Sequence, residues 1–97
     1  MSDLVTSLSF AASGMEAQAQ RLRHVSENIA NADTPGYHRK VVGFQGAMDT
    51  GLVETTPVRL DQSPLASVYD PGNPLADESG HYDGSNVDLV IEIADAR

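Results

Sequence analysis

Residues 28–37 read Asn-Ile-Ala-Asn-Ala-Asp-Thr-Pro-Gly-Tyr, and they separate a long helical pattern from a strand-like segment. Asn31 stands where a helix C-terminus accepts a left-handed residue, a conformation that Asn tolerates second only to Gly. Residues 34–37 fit a type II turn, because Pro35 fixes φ at the second position and Gly36 supplies a positive φ at the third. Proline also bars further helix. We therefore predict that the N-terminal helix ends here and that a tight turn follows.

The chain before this stretch carries an apolar heptad that runs from Leu4 to Ile29. Seven of its eight seam positions are apolar, and Gln18 is the exception. This period predicts one long amphipathic helix of the coiled-coil kind. So small a chain cannot cover that helix by wrapping around it. We therefore expect the seam to pack against a second helix, either the chain's own C-terminal helix or those of neighbouring subunits, and to mediate assembly. The apolar members of the seam are termed the apolar stripe: Leu4, Leu8, Ala11, Met15, Leu22, Val25 and Ile29.

Gly14 lies inside this helical pattern, where glycine costs about 1 kcal/mol relative to alanine. It stands among small residues, between Ala11 and Ala19. Two interpretations are open: a tolerated defect, or a place where another helix approaches closely.

Residues 37–85 change character and predict an irregular β-like region. Residues 39–44 and 52–60 have the composition of short extended pieces, and Pro57 limits the second piece to an edge position. A small β-hairpin or paired ribbon is expected from them. Residues 70–84 are dense in Pro, Gly, Asn and Asp, which predicts a loop rather than a fold element.

The tail, residues 86–97, fits two periods. Alternate apolar residues fit a strand, whereas apolar positions at spacings of three and four fit a helix with Asn86 as its N-cap. Periodicity alone does not decide between them.

Composition bounds the classes of function. The 97 residues include two Phe, three Tyr and no Trp, so a core of its own would be small and the chain marginally stable alone. The net charge is −8, and residues 44–97 hold two basic and ten acidic groups, which disfavours binding to nucleic acid. No apolar run approaches the roughly 18 residues that span a bilayer, and the N-terminus lacks the pattern of a cleavable signal. We expect no stable membrane insertion.

No arrangement of residues indicates catalysis, a cofactor or a metal. Cysteine is absent, which excludes a disulfide and a thiolate metal site. His24, His38 and His81 do not have the spacing of metal ligands. Nucleophile, phosphate-loop and metalloprotease motifs do not occur. An enzyme is therefore the least supported class of protein.

Residues 28–37 resemble a signature of the flagellar rod, hook and hook-associated proteins, in which Asn-hydrophobic-Ala-Asn is followed by Thr-x-Gly-aromatic. Residues 69–80 resemble an Asp-Pro-x-x-Pro-x-Ala-Asp stretch of the proximal rod subgroup. The resemblance implies that Asn-Val-Asp at 86–88 opens a C-terminal helix, and that this helix is cut off soon after it begins. The first match rests on Asn28, Ala30, Asn31, Thr34, Pro35, Gly36 and Tyr37.

The predicted fold class is therefore mainly α. A long N-terminal amphipathic helix and its turn occupy residues 1–36. A short, irregular β-hairpin-like region occupies residues 37–85. The start of a C-terminal helix occupies residues 86–97.

By resemblance, the chain is a structural subunit of the bacterial flagellar basal-body rod, which carries torque from motor to hook. The implied partners are further copies of itself, other rod subunits, and the flagellar export apparatus with other basal-body proteins. The implied location is the periplasmic rod, reached without a cleavable signal peptide. The heptad alone leaves a non-flagellar coiled-coil adaptor or homodimer as the alternative. A helix lying on a membrane surface is disfavoured by the few positive charges.

Overall fold

The computed structural model describes residues 2–46 and 50–97. Within these residues, helix α1 is Ser2–Ala30 and helix α2 is Leu89–Asp95. Six short strands lie between the helices: β1 Lys40–Val41, β2 Phe44–Gly46, β3 Val53–Thr55, β4 Arg59–Leu60, β5 Ser67–Tyr69 and β6 His81–Asp83. All three pairings are antiparallel, β1 with β4, β2 with β3 and β5 with β6. The mainly α class is matched in part, because the strand content exceeds the single hairpin that was expected.

Helix α1 ends at the predicted place, but a different capping interaction ends it. The left-handed conformation predicted for Asn31 is wrong, because its φ is not positive. Its side-chain amide instead donates to Glu27 O at 2.9 Å, and its Oδ1 accepts from Thr34 Oγ1 at 3.0 Å. A side chain therefore satisfies a carbonyl of the last helical turn, and a left-handed residue is not needed.

The residues after the turn form one antiparallel ribbon in two parts. Lys40 lies opposite Leu60 in the first part, and Phe44 lies opposite Thr55 in the second. Pro57 lies between β3 and β4, where the ladder is interrupted, and proline has no N–H to donate to a ladder. The irregular hairpin predicted for the middle of the chain is confirmed.

The loop predicted for residues 70–84 is wrong in its last part. Strand β6 pairs with β5, so that Val68 lies opposite Tyr82. Gly80 has a φ of +81° just before β6, and a Cβ placed there would lie 3.0 Å from the Tyr69 ring. Only glycine combines that φ with that little space. The Pro and Gly residues that predict a loop lie in the connection between the paired strands β5 and β6.

The helical interpretation of the tail is confirmed, but the helix begins later than predicted. Asp88 is the N-cap, and its Oδ1 accepts from Val90 N at 2.9 Å. An acidic side chain there also interacts favourably with the helix dipole. Asn86, the predicted N-cap, lies two residues earlier and places its side chain against the ribbon.

The ribbon covers the polar side of α1. Val53 N donates to Ser13 Oγ at 3.1 Å, and Thr55 Oγ1 donates to Gln20 Oε1 at 2.8 Å. Ala17 is the centre of the small area of α1 that the ribbon buries. The chain exposes 6677 Å² of surface, whereas a compact protein of the same mass exposes about 5,400 Å². An elongated body of 68 × 21 × 17 Å follows from this arrangement.

Candidate functional site

The side chain of Asn28 is fully buried and uses all of its hydrogen-bonding capacity. Its Nδ2 donates to Lys40 O and to Glu92 Oε1, both at 3.0 Å. Its Oδ1 accepts from Tyr37 OH and from Lys40 N, both at 2.8 Å. An amide offers two donors and two acceptor lone pairs, and here each has a partner. One side chain thus joins the end of α1 to the turn, to β1 and to α2.

The guanidinium of Arg39 lies beside Asn28 and binds three carboxylates. Its Nε donates to Glu92 Oε1 at 2.8 Å, its Nη2 to Asp95 Oδ2 at 3.0 Å and its Nη1 to Asp61 Oδ2 at 3.3 Å. The Glu92 side chain is fully buried, and such a charge is tolerated only when it is paired. The hydrogen bond to Glu92 raises the pKa of the Arg39 guanidinium, so Arg39 keeps its positive charge beside that carboxylate.

Asn86 connects both segments at the open end of the ribbon to the tail. Its Oδ1 accepts from Arg39 N at 2.7 Å, and its Nδ2 donates to Asp61 O at 2.8 Å and to Ser63 O at 3.1 Å. Together these residues form what we term the polar joint, which consists of Asn28, Tyr37, Arg39, Asp61, Asn86, Glu92 and Asp95.

An ion pair between Lys40 and Glu27 lies at the edge of the polar joint. The hydrogen bond from Lys40 lowers the pKa of the Glu27 carboxyl, and the same bond raises the pKa of Lys40. Both side chains are about a third exposed, and exposed pairs contribute little to stability. The strength of the joint therefore resides in its buried members.

The turn at residues 34–37 has the predicted type II geometry. Tyr37 N donates to Thr34 O at 3.2 Å, and Gly36 has a φ of +76°. Gly36 N donates to Gly84 O at 2.9 Å, which docks the turn on the end of the β5–β6 hairpin. The geometry therefore accounts for Thr34, Pro35, Gly36 and Tyr37 of the motif, while Ala30 is exposed in the last turn of α1.

Substitutions at Gly36 are expected to separate backbone strain from crowding. A Cβ at Gly36 would meet nothing within 4 Å, so the cost of a side chain comes from the positive φ alone. We expect Gly36→Asn to be tolerated, Gly36→Ala to lose about 1–2 kcal/mol and Gly36→Val to lose more. Urea unfolding of the three variants measures this order.

Gly80 is the matched control for this series, because its φ is similar and a Cβ placed there would lie only 3.0 Å from the Tyr69 ring. Asparagine is expected to be tolerated at Gly36 and not at Gly80. Equal losses for Gly36→Asn and Gly36→Val would contradict the turn assignment.

Most of the apolar stripe lies uncovered on the single chain. Met15 is 73% exposed and Leu8 61%, whereas Val25 is only 5% exposed beside α2. The side of α1 that the chain covers for itself is the polar one. The remaining stripe members, Leu4, Ala11, Leu22 and Ile29, are exposed as well.

Comparison with known proteins decides the family. A family model described as "Flagella basal body rod protein" matches residues 8–38. The flagellar basal-body rod protein FlgC of Agrobacterium fabrum (strain C58) is 44% identical, over all of this chain and 78% of its own length. FlgC of Escherichia coli O157:H7 is 41% identical and that of Salmonella typhimurium (strain LT2) 38%, over 93% of this chain and 75% of their lengths. The chain belongs to the FlgC family.

Membership of the FlgC family makes this chain a structural protein of the flagellar basal-body rod and not an enzyme. It also excludes the alternative interpretation as a non-flagellar coiled-coil adaptor or homodimer, which the heptad alone left open. In the part of the chain that the structure describes, no group of three His, Cys, Asp or Glu could hold a metal ion. No described helix is both long and apolar enough to cross a membrane.

The sequence did not reveal most of the polar joint of this FlgC-family chain. Of its members, only Asn28 and Tyr37 belong to the recognised motif. Arg39 and Glu92 are 53 positions apart, so no local pattern connects them. One signal was available, because Glu92 is the single charge inside the apolar run at 89–94. A lone carboxylate there indicates a buried, paired group.

Proposed function

We propose that this FlgC-family chain assembles into the rod through its apolar stripe. The proposal rests on which side of α1 the chain buries. The ribbon packs on the polar side, while Leu8 and Met15 of the apolar stripe stay exposed. A helix that leaves its apolar seam uncovered gains burial only beside other helices. Those helices are provided by neighbouring rod subunits.

The energy available from the stripe is large compared with what the single chain buries. Covering a Leu or Met side chain completely contributes about 1.5–3 kcal/mol. Leu4, Leu8 and Met15 alone therefore offer several kcal/mol to an assembly. Gly14 lies on α1 between these residues and Ala17, and a Cβ there would meet nothing within 4 Å. Within the described chain, no close contact therefore requires glycine at this position. The close approach of a neighbour's helix would explain it.

The polar joint gives the subunit the stiffness that a torque-bearing rod needs. Its bonds are directional and connect α1, the ribbon and α2, so these elements resist sliding past one another. We therefore propose that the chain polymerises with further copies of itself and with other rod subunits, and transmits torque from motor to hook. In this proposal the chain reaches the periplasmic rod through the flagellar export apparatus, without cleavage of a signal peptide. Its three structural regions are residues 1–36, 37–85 and 86–97.

Cysteine protection at Met15 tests the role of the stripe. The chain has no native cysteine, so Met15→Cys provides a single reactive thiol at a position that is 73% exposed in the free chain. We expect the free chain to react fully with a maleimide and the same chain in isolated basal bodies to be protected at least tenfold. Dissociating the basal bodies should restore the reaction.

The outcomes separate two claims. Equal labelling of free and assembled chains contradicts assembly through the stripe but leaves the chain a rod subunit. Absence of the chain from basal bodies of a motile strain contradicts the rod assignment itself.

A further inference from the structure

Helix α2 packs on the rest of the chain with its polar side inward. The carboxylate of Glu92 is fully buried between Asn28 and Arg39, at 3.0 and 2.8 Å. One turn later Asp95 binds Arg39 through its carboxylate, and its carbonyl accepts from Arg21 of α1. These polar contacts hold α2 on α1 and on Arg39.

The apolar side of α2 faces away from the chain. Val90 lies about 200° around the helix from Glu92, and it is 75% exposed. Ile93, about 100° around the helix from Glu92, is 57% exposed. This orientation is the reverse of the usual one, since apolar side chains are normally the ones that pack inward. Leu22 and Ile29 of α1 are exposed as well, so α1 also has apolar side chains that the chain leaves uncovered.

We infer that Asn28 and Arg39, through Glu92, fix the rotation of α2 about its own axis and hold its aliphatic side outward. They are positioning residues. If α2 turned that side inward, Glu92 would leave two hydrogen bonds and the Arg39 charge would lose its most buried partner, which the single chain does not tolerate. Where the polar contact is replaced by apolar side chains, that penalty disappears and the hydrophobic effect turns Val90 and Ile93 toward α1.

Thiol reactivity at position 90 tests the inference. The starting protein is the full chain with Val90→Cys, whose only thiol should react with iodoacetamide within about twofold of the rate in urea. The double variant Arg39→Met with Glu92→Leu removes both members of the Arg39–Glu92 ion pair, so neither of these two charges is left without the other. We expect the thiol of this variant to react at least tenfold more slowly, because α2 has turned. The control Glu92→Gln keeps an oxygen that accepts from Asn28 and Arg39, so its thiol should stay fast.

A fast thiol in the double variant overturns the inference, whether α2 keeps its orientation or comes free. A second measurement does not depend on any variant. In the unmodified chain, a soluble gadolinium chelate should broaden the methyl NMR signals of Val90 and Ile93 strongly. Protected methyl groups at these two residues would equally overturn it.

Discussion

Bacteria whose only copy of this chain carries Leu8→Asp are expected to be non-motile and to build no complete rods. Leu8 is 61% exposed in the single chain, so the substitution costs the isolated chain less than about 1 kcal/mol, mostly in helix propensity. In an assembly that covers the stripe, the same carboxylate would be buried without a partner, which costs several kcal/mol in every subunit. Swimming assays and electron microscopy of basal bodies measure the loss.

Ser9→Asp is the matched control for Leu8→Asp. Ser9 is exposed in the same turn of α1, about 100° around the helix from Leu8. The new residue carries the same charge, and its cost in helix propensity is smaller than that of Leu8→Asp because Ser is a weaker helix former than Leu. We expect Ser9→Asp bacteria to swim. Motility of the Leu8→Asp strain, or equal loss in both strains, would contradict assembly through the stripe.

Replacement of the fully buried amide in Asn28→Leu is expected to destabilise the chain by several kcal/mol. Leucine has a similar volume but leaves the Tyr37 hydroxyl and both backbone groups of Lys40 without their partner. Each buried polar group left unpaired costs about 1–3 kcal/mol. Because small domains have only about 5–15 kcal/mol of stability, the variant should unfold at far lower urea concentration, as circular dichroism will measure.

Asn31→Leu provides the comparison for Asn28→Leu. Asn31 is the second Asn of the motif and also bonds through its amide, but it is only half-buried, so water can replace its partners. Its loss should cost about 1 kcal/mol or less. Equal losses of stability for both substitutions would show that the burial of the Asn28 amide and its four hydrogen bonds do not determine the cost.

What the sequence predicted correctly was encoded in short segments. The turn at residues 34–37 follows from Pro35 and Gly36 alone, because these residues restrict φ by their own covalent structure. The length of α1 follows from the apolar heptad, which continues without interruption in spacing from Leu4 to Ile29. The ribbon was predictable because its two pieces are separated only by a short connection.

The errors came from pairings between distant residues. Residues 67–69 and 81–83 show little alternation and flank a connection rich in Pro and Gly, so the β5–β6 hairpin could not be seen locally. Asn86 was predicted as an N-cap because its residue type suits that position, yet Asp61 O and Arg39 N compete for its amide more effectively. The polar joint depends on Asn28 and Glu92, which are 64 positions apart, and such a contact leaves no periodic signal.

The small apolar interior has a thermal consequence. Among the described residues, the buried hydrophobic side chains are Ala17 and Val25. The heat-capacity increase on unfolding arises from newly exposed apolar surface and is typically about 12–15 cal/mol/K per residue. For this chain it should fall well below that range, so the stability curve of the free subunit is shallow and cold weakens it little. In the assembly proposed above, contacts through Leu4, Leu8 and Met15 would bury the apolar surface instead. Cooling should therefore weaken the contacts between subunits before it weakens the fold of the subunit.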